Sequence, residues 1–205
     1  MEIWQEKGWS GVTMRGVCAK ARLSDRYFYE HFEDRDALLA AVWNHAHDNV
    51  ISLLLEAFRG SGRPAPTTQL RGAISELVHS LADVTSGAQL LFSANLGTPI
   101  LQQCRQQTLE QFAEVLIALA GPHLREGVDL DDLRMSALTG IGGFVELVTA
   151  WQAGTLKVSA DRIVDHAARI STLLTDQYMA PHSGAGAGVT SALLETLNDS
   201  TPSFD

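Results

Sequence analysis

Any chemistry this chain performs should show first in residues 23–39, "LSDRYFYEHFEDRDALL". Tyr27, Phe28, Tyr29, His31 and Phe32 crowd together beside Arg26, and a run of acid follows them. Such a mixture suits a buried core, a stacking or base-reading surface, a metal site or a catalytic site. Helical geometry separates the rings. At about 100° per residue, Phe28 and Phe32 share one face as i and i+4, and Tyr27 and His31 share another. Phe28 and Phe32 are therefore expected to pack on Val17, Ala21 and Leu38, with Arg26, Tyr27 and His31 pointing outward. Tyr29 falls at the boundary, where a ring can pack while its hydroxyl reaches a phosphate.

The rival chemistries find little support. His45 and His47 follow His31, but an HxH pair on a helix places its rings about 200° apart, so they diverge. No further ligands stand at telling spacing, and no metal or cofactor is expected. The sequence contains no GxSxG, HExxH, P-loop or GxGxxG pattern, so an enzyme is not expected either.

The elements that must position these residues read as helical throughout. Apolar residues recur at three and four rather than at two, which predicts an all-α chain of about nine helices. A short first helix stops at Gly8. Thr13 caps a second over Met14 to Ala21, Ser24 caps a third over Asp25 to His31, and Asp34 caps a long fourth ending near Arg59. The fourth carries Leu38, Val42, Ala46, Val50, Leu53, Leu54 and Phe58 as an apolar stripe. "GSGRPAP", Gly60 to Pro66, breaks it. Further segments are expected over 68–84, 88–95, 99–120, 129–153 (capped by Asp129) and 160–177 (capped by Ser159). "PHSGAGAG" reads as a linker, and "SALLETL" beyond it is too short to be a stable helix alone.

With 205 residues, 45% hydrophobic and 19% charged, the chain is long enough for a sizeable core. Its net charge of −9 argues against a generally basic nucleic-acid coat, yet the charge is uneven. Residues 1–45 hold six basic and seven acidic side chains, and Asp25 is the lone acid facing four cations between Gly8 and Tyr29. The two cysteines, Cys18 and Cys104, form no CxxC pattern, which fits a reducing compartment. No secretory signal or long apolar run is visible, and a cytoplasmic location is expected.

Two short capped helices joined by the tight turn "AKARLS" and followed by a long helix form a helix-turn-helix pattern. The stretch "GWSGVTMRGVCAKARLSDRYFYEHFEDRDALL" resembles the DNA-binding region of the TetR family of bacterial transcriptional regulators. The resemblance rests on Gly8, Thr13, the turn Ala21-Arg22-Leu23-Ser24, Tyr29-Glu30-His31-Phe32, and Arg35 with Leu38. It implies a helix-turn-helix domain over 1–45, a helical ligand-binding and dimerisation domain over 46–179, and a flexible tail over 180–205. It also implies a homodimer that binds a palindromic operator, usually as a repressor. A small-molecule effector would shift the spacing of the two DNA-binding units and release the DNA.

By position, the resemblance assigns phosphate contacts to Thr13, Ser24, Tyr29, His31 and Arg35, and base reading to Asp25, Arg26 and Tyr27. Arg15 joins this DNA-binding set. Arg22 stands where the family usually has a glycine of positive φ; it either strains the turn or adds a phosphate contact. The family's first helix is about three to four turns long, so roughly ten residues are expected to be missing ahead of Gly8. A start upstream of Met1 is the expectation; a chain starting at Met1 would bind DNA less tightly.

In the second domain, Gly140, Gly142 and Gly143 permit close helix approach. The segments 129–153 and 160–177 are expected to build a four-helix bundle across the dimer. The helices over 68–84, 99–120 and 129–153 are expected to enclose a largely apolar pocket, with His79, Phe92, Gln106, Phe112 and Phe144 as candidate ligand contacts. The alternative is a small-molecule-binding or scaffolding protein of the same fold with weak or no operator binding.

Overall fold

A computed structural model describes residues 2–59, 65–81, 88–93 and 97–180. Among these residues there are eight α-helices, some short 3₁₀ turns and no strand; a lone bridge joins Leu124 and Met179. The helices are α1 (Glu2–Lys7), α2 (Met14–Ala21), α3 (Asp25–His31), α4 (Arg35–Arg59), α5 (Pro66–Ser80), α6 (Pro99–Ala120), α7 (Leu130–Gln152) and α8 (Ala160–Thr175). Residues 60–64, which hold most of the expected break after α4, and 181–205, the expected linker and terminal helical turns, lie outside the described residues.

Local chemistry explains the first half of the chain. Gly8 adopts φ 66, a left-handed conformation that glycine enters without strain, and α1 ends there. Thr13 Oγ1 accepts from Gly16 N at 3.1 Å, Ser24 Oγ from Tyr27 N at 3.4 Å, and Asp34 Oδ1 from Ala37 N at 2.8 Å. Each caps a helix that would otherwise begin with unsatisfied donors. α2 closes with a Schellman turn: Leu23 N donates to Cys18 O and Arg22 N to Ala19 O. Arg22 sits at its left-handed position, with φ 57 and ψ 39.

The helical body follows from apolar stripes. α4 buries Leu38, Leu39, Trp43, Ala46, Val50 and Leu54. Leu39 and Trp43, absent from the stripe read in the sequence, are the most deeply enclosed of these. Trp43 Nε1 donates to Thr108 Oγ1 at 2.8 Å, a buried hydrogen bond joining α4 to α6. One continuous core runs from Trp9, Cys18 and Phe28 through α4 to Val148 and Ile163. α4 therefore crosses the expected boundary at 45/46 without interruption. α5 packs on α4 and α8, α6 on α4 and α7, and α7 on α8.

Several boundaries differ from expectation. α5 begins two residues early because Pro66 suits the first turn, where no N–H is needed. The expected short helix over 88–95 is a 3₁₀ turn over Ala88–Phe92, and α8 stops at Thr175. Ala21, expected beneath the aromatic helix, is exposed; Val17 and Leu38 do take part in the core.

Candidate nucleic-acid interface

α3 separates its rings as the helical spacing requires. Phe28 is buried at 4% exposure and Phe32 is half-buried against the core, their rings 5.5 Å apart. Tyr27 and Tyr29 remain 46% and 60% exposed. His31 stacks on Tyr27 at 4.4 Å, and its Nδ1 lies 3.0 Å from the Tyr27 carbonyl. That carbonyl can only accept, so the Nδ1–H donates to it. Tyr29 rests edge-on against Phe28, with ring centroids 5.6 Å apart.

Asp25 and Arg26 occupy the exposed first turn of α3. The Arg26 side chain is 89% exposed and pairs with Glu30, Nε to Oε1 at 2.9 Å. Such an i,i+4 surface pair contributes about 0.3–0.5 kcal/mol, so a stronger acceptor can draw Arg26 away. Arg15 is exposed in the first turn of α2. The Thr13 and Ser24 oxygens accept backbone N–H bonds as caps, which leaves each hydroxyl proton free to donate to an anion.

Arg35, assigned a phosphate contact by position, makes bonds within the chain. Its Nε donates to Val12 O and its Nη2 to Trp9 O, both at 2.5 Å, while Nη1 lies 3.7 Å from Asp36. The guanidinium therefore ties the head of α4 to the connection between α1 and α2. Sequence spacing missed this because both acceptors are backbone carbonyls more than twenty positions away. Lys20, in the last turn of α2, bridges Glu2 at 2.9 Å and Glu6 at 3.6 Å, joining α2 to α1. The hydrogen bond and charge of Lys20 hold the Glu2 carboxyl below its ordinary range, and the same contact raises the Lys20 ammonium.

The five ligand candidates do not converge. His79 is exposed, with Nε2 3.2 Å from Asp161 and Nδ1 2.7 Å from Ser75 O, and so joins α5 to α8. Gln106 is exposed and donates to Glu110 at 3.3 Å. Phe112 packs on His47 at 5.2 Å, between α6 and α4. Phe92 and Phe144 do meet, edge to face at 5.9 Å. Of the five, Phe92 alone lines a cleft of about 530 Å³, whose walls also include Trp4, Leu81 and Trp151. This cleft lies at the ends of α5 and α7 nearest α1. Helical periodicity identifies inward faces but not which helix ends adjoin.

The expected dimer residues divide. A Cβ on Gly140 would lie 3.2 Å from Leu174 Cδ1, so this glycine serves the contact between α7 and α8 of the same chain. Gly142 and Gly143 face open space. Met135 and Leu138 on α7 and Leu173 on α8 are exposed apolar side chains.

The geometry of residues 8–35 is that of a helix-turn-helix unit, and comparison with known proteins agrees. Residues 1–42 match the family model described as bacterial regulatory proteins, tetR family. Three solved structures share the overall fold. The fatty acid degradation regulator FadR from Bacillus halodurans aligns with a TM-score of 0.63 at 14% identity, over 87% of this chain and 92% of that one. FadR from Bacillus subtilis, solved in complex with stearoyl-CoA, aligns with a TM-score of 0.63 at 19% identity, over 84% and 92%. SmeT, the repressor of the Stenotrophomonas maltophilia multidrug efflux pump SmeDEF, aligns with a TM-score of 0.62 at 18% identity, over 92% and 90%. Comparison with curated proteins returns no significant match. Among the described residues, no helix is long and apolar enough to cross a membrane.

Proposed function

We propose that this chain is a ligand-responsive transcriptional regulator, acting as a repressor, that binds a palindromic operator as a homodimer. The observation that carries the reading is the outward face of α3. Arg26, Tyr27, Tyr29 and His31 stand exposed on a helix that buries Phe28, within a segment matching the tetR-family model. In this reading α3 enters the major groove, with Asp25, Arg26 and Tyr27 against base edges. The hydroxyls of Thr13, Ser24 and Tyr29, with Arg15 and His31, meet backbone phosphates. Arg35 supports that surface from behind through the Trp9 and Val12 carbonyls.

Dimerisation through α7 and α8 is supported by the exposed Met135, Leu138 and Leu173 beside the open Gly142. Met135, Leu138 and Gly142 are three and seven residues apart from the first, so they share one face of α7. A twofold contact of that face with itself would place two α3 helices for two half-sites. Ligand response is supported by the fold shared with a FadR solved with stearoyl-CoA and with a repressor of an efflux pump.

The test is a mobility-shift titration of this chain on duplex DNA from the promoter region flanking its gene, at low and moderate salt. Saturable, sequence-selective binding that weakens steeply with salt is expected. Absence of any shift at low salt defeats the operator reading and leaves a small-molecule-binding or scaffolding role for the fold.

A further inference from the structure

Glu30 is the exposed residue of α3 that the operator reading leaves without a task. At about 100° per residue it lies about 160° around the helix from both Phe28 and Phe32, the rings that fix α3 to the core. Glu30 therefore stands at the middle of the face that would approach DNA. An unpaired carboxylate there would meet phosphates and acceptor edges of its own sign. The structure pairs it with a cation: Glu30 Oε1 accepts from Arg26 Nε at 2.9 Å.

The nitrogen that is held decides what the guanidinium can still read. Arginine carries its N–H donors in one rigid plane, on Nε and on both Nη groups. Glu30 takes the Nε–H, which leaves Nη1 and Nη2 as a pair of donors at the tip of the side chain. In the major groove guanine alone presents two acceptors on one base, N7 and O6. Adenine and thymine present one, and cytosine presents a donor. Arg26 lies in the first turn of α3, the part of such a helix that reaches base edges, and Glu30 lies one turn behind it. The adjoining column of the helix is built in the same way. His31 stacks on Tyr27 at 4.4 Å and donates to its carbonyl. Arg26 and Tyr27 each have a partner one turn back.

We infer that Glu30 is a positioning residue: it holds Arg26 by Nε so that Nη1 and Nη2 read N7 and O6 of one guanine in each operator half-site. This rests on the operator reading proposed above. It adds to that reading the base that is recognised and the residue that fixes its reader.

The experiment selects bound duplexes from a randomised pool with the full chain, then measures single-base variants of the selected site by competition. A guanine is expected at the position where Arg26→Ala removes the preference. Replacing that guanine by 7-deazaguanine, which lacks the N7 acceptor, should weaken the parent by about three- to tenfold and Arg26→Ala hardly at all. Glu30→Ala should lower discrimination at the same position by about two- to threefold. Glu30→Gln, whose side-chain oxygen still accepts from Nε, should retain most of it. In the Arg26→Ala background, Glu30→Ala should leave discrimination unchanged.

Three results overturn the inference alone. In the first, Glu30→Ala leaves discrimination at that guanine intact, whether or not it tightens binding on every sequence; Glu30 is then only a charge that repels DNA. In the second, the loss caused by Glu30→Ala persists without Arg26, so that Glu30 acts on the DNA by itself. In the third, the preference set by Arg26 falls on a base other than guanine. A parent chain that selects no sequence from the pool defeats the operator reading, and the inference with it.

Discussion

The α1–α3 unit and the helical body behind it are held together by different interactions. α1, α2 and α3 have only six, eight and seven residues, too short to persist alone. They depend on point fixtures: the Thr13 and Ser24 caps, the Schellman turn at Arg22, the Lys20 bridge to α1, and Arg35 on two carbonyls. α4, α6 and α7 have 25, 22 and 23 residues and are held by long apolar faces, with ion pairs such as Arg71–Asp165 and Arg134–Glu114 at the surface. The small unit shares the core through Trp9, Val12, Cys18 and Phe28, and directional bonds set how its short helices are joined. The larger body relies mainly on non-directional burial.

This contrast orders the expected effects of substitution. The largest falls on the body: Trp43→Ala removes a fully buried ring and orphans Thr108, and should destabilise the fold by about 3–5 kcal/mol in chemical denaturation. A loss below about 1 kcal/mol would mean that apolar burial does not dominate there. Next is the central fixture of the small unit. Arg35→Gln should cost about 2–3 kcal/mol through its charge-assisted bonds to Trp9 and Val12. Amide hydrogen exchange should then accelerate in α1 and α2 more than in α6 and α7. Uniform acceleration would break the distinction between the two regions.

Arg26→Ala should leave stability within about 0.5 kcal/mol of the parent while removing about 1–3 kcal/mol of discrimination at one operator position. Equal loss on every DNA sequence would move Arg26 from base reading to phosphate contact. Arg22→Gly relieves a left-handed backbone in a residue that carries a Cβ, and should stabilise the fold by about 1 kcal/mol, a rise in melting temperature. If DNA binding falls as stability rises, Arg22 also serves as a phosphate contact. The smallest effect is expected at the surface of the body, where Arg71→Ala should change stability by about 0.5 kcal/mol or less, fading with added salt.

Legibility in the sequence follows the same division. The caps at Thr13, Ser24, Asp34, Asp129 and Ser159 could all be read because capping is set within four residues of chain. The split of α3 into a buried Phe28 side and an exposed Tyr27–His31 side followed from the helical repeat. The structure places the ligand candidates apart: His79 and Gln106 are surface residues, Phe112 packs on His47, and Phe92 meets Phe144. A pocket is defined by which helix ends adjoin, and local spacing carries no information about that. Trp4 and Trp151 stand 147 positions apart, and nothing local to either relates them.

By itself, then, the sequence determined an all-helical chain, the limits of most of its helices, the helix-turn-helix pattern and the outward face of α3. Each of these depends on backbone hydrogen bonding and periodicity over a few residues. Only the tertiary structure decided that Arg35 holds the Trp9 and Val12 carbonyls. It alone decided that Arg22 takes the left-handed turn, that Trp43 reaches Thr108 through the core, and that a tryptophan-walled cleft opens against α1. These features depend on the positions of groups far apart in the chain, which are set when the apolar faces of the helices pack together.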